Sequence, residues 1–247
     1  MRIICRREDE LRMILRLMDK RRNLIVFGEE GVGKTALIQR VLTERKAIFM
    51  LFSAKSTGLK ESLVNFVLSS QDVQRDVSGK NILSLKKIFY SLLAQSPEYI
   101  IFDQLGRVGP KFFSFFEYLM DKEFPLLIVC RGLAEKDLGH LKIWSLNFEK
   151  VEISNLDQKN TILLVEQYVK EHRLNLSRQE AFAREVFHFS KGNPKIIKKL
   201  CLLAHEDKYK INGSLDVHLM DLDMRMVEVM SKIDKISRRR ICKCQSI

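Results

Sequence analysis

The chain has 247 residues, of which 46% are hydrophobic and 30% are charged, and it contains 11 glycines and 4 prolines. This length suits one or two domains with a buried core, and the composition excludes the disordered, collagen-like and disulfide-stapled miniprotein classes. The sequence shows neither a signal peptide nor an uncharged apolar run that could span a bilayer, and its 5 cysteines are odd in number. We therefore expect a cytoplasmic protein with free thiols and no membrane partner.

The net positive charge of the chain favours negatively charged binding partners. The 43 Lys and Arg residues exceed the 31 Asp and Glu residues, so the formal net charge is +12, which favours a nucleotide, a nucleic acid or an acidic protein. The excess is greatest at the end of the chain, where residues 225–247 hold seven basic and two acidic residues. This basic tail predicts either contact with a polyanion or a solvated end that keeps the protein soluble.

Hydrophobic periodicity predicts helices that alternate with strands up to residue 154, and helices alone after it. The predicted strands cover residues 24–27, 47–52, 99–102, 125–130 and a short run near 147–151. The predicted helices of the first part cover residues 8–20, 34–45, 59–70 and 81–95 and a segment between the third and fourth strands, with a polar stretch at 71–80. Those of the second part cover residues 157–172, 178–189 and 194–205, with one or two more in 215–237.

The strongest motif is Gly28-Glu29-Glu30-Gly31-Val32-Gly33-Lys34-Thr35, which matches the Walker A pattern between a predicted strand and a predicted helix. Glycines let the backbone N–H groups curl around phosphate oxygens at a helix N-terminus. Lys34 can then reach the β- and γ-phosphates, and the Thr35 hydroxyl can bind Mg²⁺. We predict an α/β fold, a P-loop NTPase parallel sheet sandwiched by helices, followed by a small all-α unit.

A phosphate loop also needs an acidic residue for the magnesium shell, presented at the end of a neighbouring buried strand. Asp103 ends the predicted strand 99–102 and is the candidate, with a helix cap or loop position as the alternative. The next residue is Gln104, where many enzymes of this type have a Glu that activates the attacking water. An amide orients water but accepts no proton, so we expect slow hydrolysis, another base, or no catalytic role for Gln104.

Two further patterns carry weaker predictions. Arg131 ends the predicted strand 125–130, where it either stabilises transferring phosphate charge or is a solvated strand-end arginine. Gly192-Asn-Pro194-Lys195 precedes an apolar-periodic helix and is also ordinary helix-capping sequence. An aromatic-rich helix predicts core packing, with a partner surface as the alternative; its members are Phe112, Phe113, Phe115, Phe116 and Tyr118.

The order of these segments over residues 3–205 resembles the AAA+ and STAND branches of the P-loop ATPases, including their replication-initiator-like members. Cys5-Arg6-Arg7-Glu-Asp-Glu-Leu11 is similar to the "GRexEL" entry segment, and Ile100–Gln104 resembles Walker B. Leu127–Arg131 looks like the STAND strand that ends in Arg, and Lys191–Pro194 looks like the G-x-P turn of the helical lid. Arg6 departs from the usual entry Gly, and Gln104 departs from the usual acid.

The resemblance implies ATP or ADP and Mg²⁺ as cofactors, with Thr35 and Asp103 on the metal. It also implies that Arg7 and Pro194 lie near the adenine and that Lys195 stands near the place of a sensor arginine. The domains expected from it are a nucleotide-binding domain at 1–152, a helical lid at 153–212 and a basic helical tail at 213–247. Initiator-like relatives add a winged-helix domain, for which the residues after Leu203 are too few.

The sequence therefore predicts a slow ATPase in which the bound nucleotide sets the lid angle, and a protein partner or a second copy responds in the ATP state. One alternative is a DNA-associated ATPase of the initiator or transposition-regulator kind, with the basic tail as its contact. The other is a scaffold that retains nucleotide without hydrolysing it.

Overall fold

The computed structural model describes residues 7–70, 77–174, 176, 178–211 and 214–244, with the backbone alone at 211, 214, 232 and 235–244. Cys5 and Arg6 of the predicted entry segment and most of the polar stretch 71–80 lie outside the described residues. The chain divides into an α/β unit that ends at Ser154 and a second unit that begins at Asn155.

The α/β unit is built on one sheet of five parallel strands in the order β2-β3-β4-β1-β5. The strands are β1 (Leu24–Phe27), β2 (Met50–Ser53), β3 (Tyr99–Phe102), β4 (Leu126–Cys130) and β5 (Glu149–Glu152). Every residue of β3 and β4 is buried, as both sequences of continuous apolar residues predict. The predicted parallel α/β fold is confirmed.

Helices cover both faces of this sheet. They are α1 (Glu8–Asp19), α2 (Lys34–Glu44), α3 (Leu59–Ser69), α4 (Ile82–Leu93), α5 (Pro110–Asp121) and the short α6 (Glu135–Leu138), followed by a 3-10 segment at His140–Asn147. One core contains Ile14 of α1 and Ile38 of α2, and the other contains an aromatic cluster. The aromatic cluster includes Phe66, Phe89, Phe102, Phe115 and Phe116. Each side chain of this size contributes about 1.5–3 kcal/mol when fully buried, so core packing explains the buried phenylalanines of α5.

The strand order differs from the sequence prediction in one respect that affects the site. The prediction that the strand before Asp103 neighbours the strand before the phosphate loop is wrong, because β4 lies between β3 and β1. Phe27 pairs with Cys130 in register, and Phe102 pairs with Ile128. The carboxyl ends of β3, β4 and β1 therefore follow one another along the same edge of the sheet.

The second unit is mainly helical, with α7 (Gln158–Glu171), α8 (Gln179–Ser190), α9 (Pro194–Leu203) and α10 (Val217–Cys244). A hairpin of two-residue strands, β6 (Lys210–Ile211) and β7 (Ser214–Leu215), precedes α10. Helices alone were expected here, but strands this short carry no detectable alternation of polar and apolar residues. No helix among the described residues combines the length and the apolar character needed to cross a bilayer.

Gly192 begins the turn that the sequence singled out in this unit. Its φ of +77° lies in the left-handed region, and a Cβ on it would lie 1.9 Å from the carbonyl oxygen of Leu156. Asn193 then caps α9 by accepting a hydrogen bond from the Lys195 N–H at 3.1 Å. Pro194 is buried at the first turn of α9, whereas Lys195 is exposed. The Gly-Asn-Pro sequence thus forms a tight turn into a capped helix.

Candidate functional site

The phosphate loop connects β1 to α2, as its motif predicts. Gly28 lies so close to the end of β5 that a Cβ on it would be 2.1 Å from the carbonyl oxygen of Ile153. Gly33 has a φ of +99° and is the N-cap of α2. Among the described residues no side chain caps this helix, so its first-turn amides are left to another acceptor, as at an anion-binding helix N-terminus.

Lys34 reaches back across the loop. Its Nζ donates hydrogen bonds to the carbonyl oxygens of Gly28 at 2.5 Å and Glu29 at 2.7 Å. Partial burial lowers the pKa of Lys34, the charge of Arg131 lowers it further, and the carboxylates of Asp103 and Glu30 raise it. Lys34 therefore lies within electrostatic reach of Asp103 and Arg131, which the sequence assigned to the same site.

Asp103 follows β3 directly and is fully buried. Its Oδ1 accepts a hydrogen bond from the Gln104 backbone N–H at 2.8 Å, while its Oδ2 is buried and has no partner among the described residues. Burial raises the pKa of Asp103, although the Thr35 hydroxyl, the Gln104 amide and the Lys34 charge lower it. A buried carboxylate oxygen without a donor is destabilising unless a cation or water binds it.

The residues around this oxygen fit Mg²⁺. Magnesium takes oxygen ligands, and the hydroxyl of Thr35 and the orphaned Oδ2 of Asp103 belong to interacting side chains. Phosphate oxygens and waters supply the remaining positions in sites of this kind. Thr35 and Asp103 therefore remain the predicted metal residues.

Gln104 occupies an exposed turn with a φ of +51°, in the left-handed region. For a residue with a Cβ this conformation costs on the order of 1 kcal/mol, and the hydrogen bond from its own N–H to Asp103 helps to stabilise the turn. The chain returns to the sheet at once, because the Leu105 N–H donates to the Val129 carbonyl at 2.8 Å. Gln104 is thus solvent-accessible beside the buried carboxylate.

Arg131 follows β4, between the strands that lead to Asp103 and to the phosphate loop. Its side chain is exposed, and its charge acts on Lys34. The preceding residue, Cys130, was not among the predicted site residues, although it lies within electrostatic reach of Lys34. Burial raises the pKa of the Cys130 thiol to about 12, so the thiol is neutral at physiological pH.

Arg7 is also close to the phosphate loop, but its guanidinium bonds to protein groups. It is 4% exposed and donates to the carbonyl oxygen of Val32 at 2.8 Å and to that of Ser154 at 2.6 Å. It also pairs with Glu10 at 2.8 Å. Sequence reasoning did not identify these backbone acceptors, because a carbonyl group carries no side-chain signal. Pro194 and Lys195 belong to the second unit, and their predicted proximity to a nucleotide remains a prediction.

The buried carboxylate leads to a prediction about stability. Replacing Asp103 with Asn removes a buried charge, so Asp103→Asn should raise the free energy of unfolding at pH 7 by about 1–3 kcal/mol in the absence of ligand. Folding raises the pKa of Asp103, so protonation of this carboxyl group stabilises the folded chain. This stabilisation is fully present below the ordinary pKa and is lost as pH rises through the folded value.

The free energy of unfolding of Asp103→Asn should therefore exceed that of the unsubstituted chain only slightly near pH 4, and the difference should grow towards pH 7. Denaturant titrations at both pH values measure it. A variant that is less stable than the unsubstituted chain at pH 7 would show that the carboxylate is compensated in the ligand-free protein.

Known proteins give independent information on the fold and the family. Residues 16–136, just under half of the chain, match the family model described as an AAA domain. No curated protein sequence is significantly similar to the chain. The solved Walker-type ATPase PABY2304 of Pyrococcus abyssi has 16% identity and a TM-score of 0.63, over 96% of this chain and 76% of that one.

Two other solved structures have similar folds. The Aeropyrum pernix Orc1 protein, solved in complex with DNA, has 12% identity and a TM-score of 0.62, over 89% of this chain and 65% of that one. A Thermotoga maritima RuvB variant has 12% identity and a TM-score of 0.57, over 90% of this chain and 69% of that one. At these identities the likeness concerns the fold alone. Together with the phosphate loop, it shows that the chain has a P-loop NTPase-like fold, in which residues 16–136 match the model of an AAA domain.

Proposed function

We propose that the chain binds Mg²⁺-ATP at the phosphate loop, hydrolyses it slowly and acts as a nucleotide-dependent switch whose state is recognised by a protein partner or a second copy. One observation carries the proposal: the buried, unpartnered Oδ2 of Asp103 lies in the same charged cluster as Lys34 and Thr35. Without a cationic ligand this unpartnered oxygen is destabilising, although the carboxylate also interacts with the Gln104 amide and the Thr35 hydroxyl.

Each residue of the cluster has a distinct role in this proposal. Lys34 exchanges its hydrogen bonds to the loop carbonyls for bonds to the β- and γ-phosphates, and the amides at the start of α2 bind phosphate oxygens. Thr35 and Asp103 hold Mg²⁺, which supplies charge neutralisation at the phosphates when it is bound. Arg131, at the end of β4, interacts with the negative charge that develops during transfer.

Slow turnover follows from Gln104. Its side-chain amide can orient a water molecule but cannot accept the proton that the water loses. The residue after Asp103 is therefore not a carboxylate that could serve as a base. We further propose that Pro194 adjoins the adenine and that Lys195 stands near the place of a sensor arginine, as the resemblance to the STAND and initiator-like branches implies. The local support for this proposal is the tight Gly192–Pro194 turn and the exposed Lys195.

The first test concerns binding. Lys34→Ala should weaken ATP binding at least tenfold while leaving the circular dichroism spectrum unchanged, because the lysine supplies the charge that faces the phosphates. Calorimetry measures the affinity, and Lys46→Ala, at an exposed lysine just after α2, is the matched control. Equal affinity in Lys34→Ala and in the control would exclude the phosphate loop as the binding site.

The second test concerns hydrolysis. The unsubstituted chain should turn over below about 1 s⁻¹, the low end for ordinary enzymes. Gln104→Glu should raise the rate at least tenfold by supplying a base, and Gln104→Asn is the matched control that should not. Phosphate release under saturating Mg²⁺-ATP measures both. A fast unsubstituted chain, or a glutamate variant without effect, would show that the water is activated elsewhere.

A DNA-associated ATPase is the second candidate function. The Orc1 protein of similar fold was solved with DNA, and α10 carries the basic tail of residues 225–247, as far as residue 244 in the described part of the chain. Counterion release predicts a salt slope of about −0.9 for each phosphate contacted on duplex DNA. Tail residues that neutralise phosphates would therefore make DNA binding salt-dependent.

The tail can be tested directly. If it is the contact, truncation after Met224 should weaken DNA binding and flatten its dependence on salt. Replacing Arg238, Arg239 and Arg240 with Gln should do the same without shortening the chain. Fluorescence anisotropy across a salt series measures both variants. Identical curves for all three chains would leave the basic tail as a solvated end. Nucleotide retained through long dialysis without turnover would favour the scaffold alternative.

A further inference from the structure

None of the roles proposed for Lys34, Thr35, Asp103 and Arg131 explains why the guanidinium of Arg7 is buried. Arg7 immediately precedes α1, and its own carbonyl accepts the Leu11 N–H at 2.9 Å, so the first turn of that helix fixes its backbone. Glu10, one turn further along α1, pairs with the guanidinium and is itself 29% exposed. A long cationic side chain is rarely this buried unless most of its donors are bonded. In Arg7 both terminal nitrogens donate hydrogen bonds, while the buried Nε has no partner among the described residues.

The contact with Val32 acts on the phosphate loop itself. A peptide unit is planar and trans, so the Val32 carbonyl and the Gly33 N–H point in opposite directions from one bond. By fixing the Val32 carbonyl at 2.8 Å, Arg7 also fixes the direction of the Gly33 amide, on the side of the peptide away from the guanidinium. The Arg7 side chain is close enough to Gly33 that a Cβ there would lie 3.8 Å from Nε.

The contact with Ser154 connects the guanidinium to the other end of the loop. Ile153, the residue before Ser154, packs with its carbonyl against Gly28, at the start of the loop. Arg7 donates to Ser154 at 2.6 Å, and Ile153 donates its N–H to the Phe27 carbonyl at 2.7 Å. The segment after β5 therefore contacts Gly28, at the beginning of the loop, directly. It is connected to Val32, near the end of the loop, through the hydrogen bonds of Arg7.

From these contacts we propose that Arg7 is a positioning residue that preorganises the phosphate loop by fixing the Val32–Gly33 peptide and fastening it to the segment after β5. This inference rests on the proposed nucleotide binding and deepens it. It differs from an adenine contact in a measurable way: a residue that orients the loop affects every ligand bound through phosphates, whatever base the ligand carries. An adenine contact affects only ligands that carry adenine.

The test compares ligands with and without a base. In Arg7→Met, which keeps an unbranched apolar side chain but removes every donor, binding of Mg²⁺-ATP, Mg²⁺-GTP and inorganic tripolyphosphate should weaken by about the same factor, roughly tenfold or more. Arg7→Lys can still donate to one carbonyl, so its affinity for each ligand should lie between that of the unsubstituted chain and that of Arg7→Met. Competition against a fluorescent nucleotide measures all three ligands, at a temperature well below each variant's unfolding midpoint.

Two control variants separate positioning from general stability. Arg12→Met changes an exposed arginine of the same helix and should leave affinity and stability unchanged. Glu10→Gln weakens the ion pair of Arg7 but spares both carbonyl bonds, so it should reduce stability with less than a twofold change in affinity. If Arg7→Met does not fold, faster amide hydrogen exchange at residues 28–35 in Arg7→Lys than in the unsubstituted chain gives the same information.

Three results would overturn the inference. Weaker ATP binding with unchanged tripolyphosphate binding would indicate an adenine contact instead. Reduced stability with unchanged affinity for all ligands, or unchanged loop exchange in Arg7→Lys, would indicate a structural role alone. Failure of the unsubstituted chain to bind any of the three ligands would refute the proposed function, and this inference with it.

Discussion

The charged cluster depends on one electrostatic constraint: a fully buried carboxylate, Asp103, must share the edge of the sheet with a partly buried ammonium, Lys34. Burial disfavours the charged form of each group, and their mutual attraction offsets only part of that effect. Neither group is bonded directly to the other in the described structure, since Lys34 bonds to loop carbonyls and Asp103 to an amide. The arrangement is understandable if a ligand with both anionic and cationic parts completes it.

The fold creates this constraint through its strand order. Because β4 separates β3 from β1, the acidic residue and the phosphate loop lie two strands apart, with Arg131 on the strand between them. The three charged positions therefore form a row along one edge rather than a pair. This spacing leaves the Lys34 ammonium free to bond within the loop, and it places the Arg131 cation after the strand that separates the phosphate loop from Asp103.

Sequence reasoning identified the parts of the site that depend on local chemistry. The glycines of the phosphate loop are required by positive φ and close backbone approach, which a pattern of residue types records directly. Asp103 was recognisable because it ends a continuous apolar run. Strand order was not predictable in the same way, because the placement of β4 depends on long-range pairing. The hydrogen bonds of Arg7 to Val32 and Ser154 also escaped prediction, since their acceptors are backbone atoms 25 and 147 residues away.

In the proposed function, the buried Asp103 carboxylate holds a divalent cation together with a nucleotide. The most direct measurement of this role is a calorimetric titration of the full chain with a slowly hydrolysed ATP analogue, once with Mg²⁺ and once with a chelator. We expect binding in both titrations, with higher affinity when Mg²⁺ is present. Equal affinity with and without Mg²⁺, or no binding in either titration, would contradict the proposed role.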